Sequence, residues 1–178
     1  MTGMEQLFSD AFERHGDELF RHASLRLSDR DRAVELTQEC FLKAWRYVQG
    51  GTEVREMRPF LYKILRNLII DEYRKVKSYS LERMLEDDEG EVIESNLPRD
   101  DTNTLEAAMD RFDGARAISA IAKLTFPYQE VIALRYVDGL SLREIAALVV
   151  ESENVVSVRL HRGLKKLRVL LEQNDSSV

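Results

Sequence analysis

The chain has 178 residues and carries 26 Lys and Arg against 32 Asp and Glu, for a formal net charge of -6 and an isoelectric point near 5.2. This length suits one ordinary domain or two small ones, and an acidic total taken alone argues against a nucleic-acid partner. The sequence lacks an apolar run of the roughly 18 residues that a membrane-spanning helix needs, and its acidic, amphipathic start is unlike a signal peptide, so we expect a cytoplasmic protein.

Charge is unevenly distributed along the chain. Residues 1–77 hold 14 basic and 13 acidic residues (net +1), residues 78–114 hold 3 and 12 (net -9), and residues 115–178 hold 9 and 7 (net +2). The chain has only 8 Gly and 3 Pro, which favours helices over turns. We predict an all-α protein of two small helical domains, 1–77 and 115–178, joined by a flexible acidic linker over 78–114.

The first part of the chain shows helical periodicity. Apolar residues between Leu7 and Leu27 predict one or two helices, and apolar spacings of three and four from Asp31 to Val48 predict an amphipathic helix that ends near Gly50 and Gly51. Pro59 suits the first turn of a further helix with a buried stripe from Phe60 to Ile69.

The polar side of that further helix is rich in cations. Between Arg58 and Lys77 there are six basic residues against Asp71 and Glu72, with Asn67, Tyr62 and Tyr73 interleaved. Single-stranded DNA is bound by such cationic tracks combined with aromatic or amide groups for unstacked bases. A solvated helix face is the alternative, and the residues alone leave both interpretations open.

A short helix, a tight turn and a longer helix follow one another in the last part of the chain. Asp138 and Gly139 end a preceding helix, and Ser141 with Glu144 forms an S-x-x-E capping box for the next. That helix runs to about Val149, and Ser152 is placed to cap the longer one. The pattern predicts a helix-turn-helix.

The longer helix is basic along its middle. From Arg159 to Arg168 it has five basic residues plus His161 and no acid. Such a composition suits the major groove of DNA, where phosphate attraction supplies affinity and polar side chains read base edges. The alternative is a solvated helix whose cations complement the helix dipole.

Signals for catalysis are missing from the sequence. Cys40 is the single cysteine, which excludes an internal disulfide, and His15, His22 and His161 lack the spacing of metal ligands. Motifs of phosphate-binding loops, nucleophile elbows and zinc proteases are also missing. We expect no enzymatic activity, no cofactor and no metal.

Four motifs resemble a known family. The runs LTQECFLKAWRYV (36–48) and RPFLYKILRNLIIDEYRK (58–75) resemble the second conserved region of bacterial sigma factors, and YQEVIALRYVDGLSLREIA (128–146) and RLHRGLKKLR (159–168) resemble the fourth. The size, the two modules and the short linker match the extracytoplasmic-function (ECF) group. The resemblance implies an alternative sigma factor that binds core RNA polymerase and directs promoter-specific initiation through the minus-ten and minus-thirty-five elements.

The resemblance also implies site residues. In the family, the helix equivalent to 29–48 docks on the clamp helices of polymerase, which implies contacts by Arg30, Asp31, Glu35, Gln38 and Glu39. The next helix and the loop 50–58 take the opened minus-ten element, with a base flipped into a pocket, which implies contacts by Lys63, Arg66, Asn67, Asp71 and Arg74. The last helix reads the minus-thirty-five duplex, which implies contacts by Asn154, Ser157, Arg159, Arg162 and Lys165, with Arg143 toward phosphate.

The turn and the start of the last helix depart from the family pattern. Val150 stands at the customary glycine, Glu151 at an apolar position, Val155 at a threonine, and Ser157 with Val158 at a Lys-Ser pair. Val150 leaves the turn geometry open, since glycine there normally relieves backbone strain. The lost cation predicts a different or more weakly bound upstream motif.

Further partners follow from the resemblance, and other functions stay open. In the family the acidic segment threads through the polymerase channel that later carries RNA, so residues 78–114 would mimic nucleic acid; a flexible tether is the alternative. The polymerase flap and an anti-sigma factor are further candidate partners. The other functions are a stand-alone helix-turn-helix regulator, with 1–77 sensing or dimerising, and an adaptor that binds through amphipathic helices.

Overall fold

The computed structural model describes residues 3–27, 29–76 and 114–175. The chain divides into two compact units, Met1–Ser78 and Tyr79–Val178, and the regular structure of the described residues is helical throughout. The predicted all-α class with two helical domains is thereby confirmed. The acidic linker predicted over 78–114 lies outside the described residues except for Gly114. None of the described helices is long and apolar enough to cross a membrane.

Three helices form the first unit: α1 (Gly3–Arg26), α2 (Arg30–Gln49) and α3 (Met57–Val76). Their shared core contains Leu19, Leu36, Cys40, Leu61, Leu65 and Ile69, all at most 1% exposed. Burying each such aliphatic side chain contributes about 1.5–3 kcal/mol. Two edge-to-face aromatic pairs, Phe8 with Trp45 and Phe12 with Phe41, each have ring centroids 5.0 Å apart, and their order along the helices makes α1 and α2 antiparallel.

Local signals fix the ends of α2. The Asp29 side chain accepts hydrogen bonds from the backbone N–H groups of Asp31 at 2.9 Å and Arg32 at 3.2 Å, which satisfies two donors of the first turn. At the other end Gly51 has a φ of 93°, a left-handed conformation that glycine adopts at little cost. The predicted end near Gly50 and Gly51 is confirmed.

The second unit contains α4 (Gly114–Ala122), α5 (Phe126–Ile132), which continues into a π-helical turn (Ala133–Val137), then α6 (Leu142–Val149) and α7 (Glu153–Asp175). The capping box of α6 is present: Ser141 Oγ accepts from the Glu144 N–H at 3.2 Å, and the Ser141 N–H donates to the Glu144 carboxylate at 2.7 Å. Ser152 Oγ accepts from the Val155 N–H at 3.2 Å and so caps α7. The helix-turn-helix formed by α6 and α7 is confirmed.

Two backbone positions shape this unit. Val150 takes the left-handed conformation that a glycine would take, with φ 61° and ψ 46°. Backbone strain at this valine costs about 1–3 kcal/mol. In α7, a Cβ placed on Gly163 would lie 2.9 Å from Ile132 Cδ1 and 3.2 Å from Tyr128 Cβ. The absence of a side chain at Gly163 therefore allows α7 to approach α5 closely.

Candidate nucleic-acid interface

One cationic surface lies on the outward side of α3. Lys63, Asn67, Asp71 and Arg74 are exposed and follow one another at spacings of three and four, while Arg66 is half-buried beside them. We call these five residues the α3 face. Arg74 and Asp71 form an ion pair at 3.6 Å with both side chains more than half exposed, which is a weak and salt-screened interaction. The face therefore presents cations and an amide to solvent.

Of the two tyrosines that the sequence placed near this face, the structure contradicts one. Tyr62 is 1% exposed in the core, and Tyr73 is half-buried with its hydroxyl donating to the Arg26 carbonyl, so the expectation is wrong for Tyr62. Tyr47, at the end of α2, is instead 52% exposed, and its ring centroid lies 6.1 Å from that of Phe60 in an edge-to-face arrangement. Phe60 lies one turn before Lys63 on α3.

The backbone of Tyr47 contacts the loop that follows α2. The Tyr47 carbonyl accepts from the Thr52 N–H at 3.0 Å, so the loop folds back toward the end of α2. An exposed ring beside a cationic helix face can contact an unstacked base. Sequence reasoning missed Tyr47 because it placed the whole run 36–48 on an inward stripe or a polymerase contact; its position at a helix end, next to two glycines, was the available signal.

The residues implied to bind polymerase lie on α2. Arg30, Asp31, Glu35 and Gln38 are exposed and Glu39 is half-buried; we call the five the α2 face. Two apolar side chains lie among them, Leu42 at 58% and Val34 at 37% exposure. Protein interfaces combine an apolar centre with a polar rim. Sequence reasoning did not single out Leu42 and Val34, although Leu42 follows Gln38 by one helical turn.

An ion pair joins the α2 and α3 helices. Arg32 donates from Nε to one Glu72 carboxylate oxygen at 2.8 Å and from a terminal nitrogen to the other at 2.7 Å, and it also donates to Glu35 at 2.6 Å. The hydrogen bonds from Arg32 hold the pKa of Glu72 below its ordinary value of 4.5. This ion pair links the two helices that carry the α2 face and the α3 face within the first unit.

A second pair joins α1 to the start of α3. Arg58 donates to both oxygens of the Glu18 carboxylate at 3.0–3.1 Å, and His15 Nδ1 lies 2.6 Å from the same carboxylate. Burial raises the pKa of Glu18, but the hydrogen bonds from Arg58 and His15 outweigh burial and lower the pKa below 4.5.

The second unit carries its polar surface on α7. Asn154, Ser157 and Lys165 are exposed, and His161 is half-buried between them at helical spacing; we call these four the α7 face. His161 was absent from the implied contacts, although it lies within the basic run. Arg143 on α6 is exposed and Arg162 is half-buried.

Arg159 differs from the α7 face. Its side chain is only 13% exposed, and a terminal nitrogen lies 3.6 Å from the Glu151 carboxylate in the turn.

Metal-binding clusters of three or more His, Cys, Asp or Glu are missing from the part of the chain that the structure describes.

Comparison with known proteins agrees with this architecture. The family model for Sigma-70 region 2 matches residues 11–79, and that for Sigma-70 region 4 matches residues 115–167. The ECF RNA polymerase sigma factor SigL of Mycobacterium tuberculosis is 30% identical over 164 residues, covering 91% of this chain and 87% of SigL. SigW of Bacillus subtilis, also an ECF sigma factor, is 29% identical over 167 residues, covering 93% and 89%.

Two solved structures are similar over most of the chain. The sigma factor RpoE in complex with the anti-sigma factor NepR from Bartonella quintana gives a TM-score of 0.66 at 25% identity, covering 93% of this chain and 96% of RpoE. CnrH in complex with the cytosolic domain of CnrY gives 0.68 at 25% identity, covering 97% and 92%. The chain therefore belongs to the ECF group of RNA polymerase sigma factors, which direct core RNA polymerase to promoters.

Proposed function

We propose that this sigma factor divides promoter recognition among three surfaces. The α2 face, with Leu42 and Val34, binds core RNA polymerase; the α3 face, with Tyr47 and Phe60, binds the opened minus-ten strand; and the α7 face reads the minus-thirty-five duplex. The observation that carries the proposal is that a chain of net charge -6 exposes cations on the outer side of α3 and again on α7, in two separate units. The protein needs no catalytic activity of its own for this role.

The composition of each surface supports its assignment. Opening DNA costs about 1.4 kcal/mol per stacked step, and contact with an aromatic ring returns about 1–3 kcal/mol per base. The Tyr47 ring supplies the contact with a base, and the cations of the α3 face attract the backbone of the strand. On α7, Asn154 and Ser157 present an amide and a hydroxyl, which read base edges in the major groove.

Other partners fit the same proposal. The net -9 stretch over 78–114 occupies the polymerase channel that later carries RNA, where its carboxylates oppose basic walls. An anti-sigma factor binds the chain when it is free of polymerase, in line with the structural similarity to RpoE, which was solved in complex with the anti-sigma factor NepR. The place of action is the cytoplasm, where polymerase lies.

A stand-alone helix-turn-helix regulator is not favoured. That function would leave the match of residues 11–79 to Sigma-70 region 2, and the cations of the α3 face, without a role. An adaptor without DNA contacts would leave both cationic helices unexplained.

The test reconstitutes the full chain with core RNA polymerase on a library of genomic fragments and maps the starts of the transcripts. We expect starts that share two upstream elements at fixed spacing. Core polymerase alone, on the same fragments, is the control and yields none of these starts. Failure of the chain to bind core polymerase would overturn the proposal, and tight duplex binding with no effect of polymerase would favour the stand-alone regulator.

A further inference from the structure

The turn of the helix-turn-helix holds an acid against a cation of the recognition helix. The Glu151 carboxylate lies 3.6 Å from a terminal nitrogen of Arg159, and the exposed fractions of the two side chains are 41% and 13%. Asn154 and Ser157, on the same first turns of α7, are exposed. The Arg159 side chain is therefore largely buried and paired with Glu151, while Asn154 and Ser157 face solvent.

The backbone fixes the place of Glu151. The N–H groups of Val150 and Glu151 both donate to the Ala146 carbonyl, the latter at 3.0 Å, and Val150 is left-handed. One residue later, Ser152 caps α7. Hydrogen bonds therefore fix the backbone at Glu151 and at the residue after it. The Glu151 carboxylate points toward Arg159 in the second turn of α7.

A carboxylate and a phosphate compete for the same ligand. A guanidinium binds either anion through charge-assisted hydrogen bonds, so an arginine that is paired with an internal carboxylate must break or share that pair to bind DNA. Glu151 also adds a negative charge in the turn before α7, next to the N-terminal end of the helix, which would approach the phosphates. Both effects oppose binding of the duplex.

We propose that Glu151 is a positioning residue that competes with DNA phosphate for Arg159 and so weakens binding of the minus-thirty-five duplex. The inference rests on the proposed role of α7 in reading that duplex. It assigns a function to an acidic residue at a position where the resemblance led us to expect an apolar one. Without this carboxylate, Arg159 gains one phosphate contact.

The experiment measures binding of the reconstituted holoenzyme to a duplex that carries only the upstream element of a mapped promoter. Fluorescence anisotropy gives the affinity at several KCl concentrations. We expect Glu151→Gln to bind about three- to tenfold more tightly and to steepen the slope of log affinity against log salt by about 0.9, the value for one added phosphate contact. A merely structural role of Glu151 would not steepen that slope.

Glu153→Gln is the matched control, because it removes the same charge two residues away at an exposed position. The decisive comparison repeats both variants with Arg159→Gln, which keeps part of the aliphatic stem. The gain from Glu151→Gln should vanish in that background, whereas any gain from Glu153→Gln should persist. Thermal melting checks that each variant is folded.

Three outcomes would overturn the inference. Equal gains from both glutamine variants that survive Arg159→Gln would indicate a general charge effect. Weaker binding by Glu151→Gln would mean that Glu151 presents Arg159 to DNA. Unchanged affinity and slope would mean that the pair does not matter for binding. Failure of the proposed function is distinct, since the wild-type holoenzyme would then bind the upstream duplex no better than an unrelated duplex.

Discussion

The two units hold their candidate DNA-binding helices by different chemistry. In the first, α3 adds to its apolar core two bidentate ion pairs, Arg58 with Glu18 near its start and Arg32 with Glu72 near its end. In the second, α7 is held by the close approach at Gly163 and by the left-handed turn at Val150. For the stability of these two helices, substitutions at the ion pairs should therefore act through charge in the first unit, and substitutions at Gly163 and Val150 through steric fit and backbone conformation in the second.

The single tryptophan makes this difference measurable. Trp45 packs on Phe8 within the first unit, so its fluorescence reports unfolding of that unit, whereas far-UV circular dichroism reports the helices of both units. A change seen by dichroism but not by Trp45 fluorescence belongs to the second unit.

Gly163→Val should have the largest effect. The new side chain would overlap Ile132 and Tyr128, and overpacking of this kind costs about 3 kcal/mol. Urea unfolding should show a destabilised second unit by dichroism with an unchanged Trp45 transition. Gly114→Val is the control, because a Cβ there meets no atom within 4 Å. Equal losses from both variants would remove the steric argument.

Arg32→Gln should destabilise the first unit by about 2 kcal/mol. It leaves the Glu72 carboxylate, which is 15% exposed, without two charge-assisted hydrogen bonds. Trp45 fluorescence in urea measures the loss. Lys75→Gln removes a cation that lies 3.8 Å from the same carboxylate but is 70% exposed, and it should change the stability by less than about 0.5 kcal/mol. Similar losses from the two variants would contradict the importance of the bidentate geometry.

Tyr47→Ala should separate the two units by function. Loss of a ring contact worth about 1–3 kcal/mol per base should lower the population of open promoter complexes roughly tenfold. Permanganate reactivity of thymines in the bubble measures opening, and binding of the upstream duplex should not change. Tyr47→Phe keeps the ring and serves as the control. A loss of upstream binding equal to the loss of opening would contradict the separation of the two surfaces.

Local signals explain what could be predicted from the sequence. Asp29 before α2 and the Ser141–Glu144 box before α6 act within one turn of the chain, so the sequence contains all the information that they need. The exposure of Tyr47 and the covering of Arg159 depend on how distant residues pack, which periodicity does not encode. Tyr62 shows the same limit, because its polar tip suggested a surface while packing placed it in the core.

Val150→Gly should have a smaller effect of opposite sign. Glycine adopts the left-handed conformation without strain, and this gain exceeds the added freedom of the unfolded chain, so we expect about 1 kcal/mol of stabilisation. Dichroism in urea measures the shift. Val169→Gly, at an exposed position inside α7, should instead cost about 0.5 kcal/mol, because glycine has a lower helix propensity than valine. Destabilisation by Val150→Gly would mean that the valine side chain stabilises the turn by contacts.

A moderate change of pH near neutrality should have the smallest effect on stability. At lower pH, the first unit should lose stability through two of its carboxylates. The pKa values of Glu18 and Glu72 lie below 4.5 in the folded chain, so the stability that their pairing contributes is present above 4.5 and is lost as the pH falls through the lower folded values. The urea midpoint of the Trp45 transition should therefore fall between about pH 5 and about pH 3. Glu72→Gln should start from a lower midpoint at neutral pH and fall less steeply, because one of the two carboxylates whose pKa is lowered in the folded chain is gone. A decline as steep as that of the wild type would mean that the Arg32 pair does not link this unit to pH, and charge would then no longer distinguish the first unit from the second.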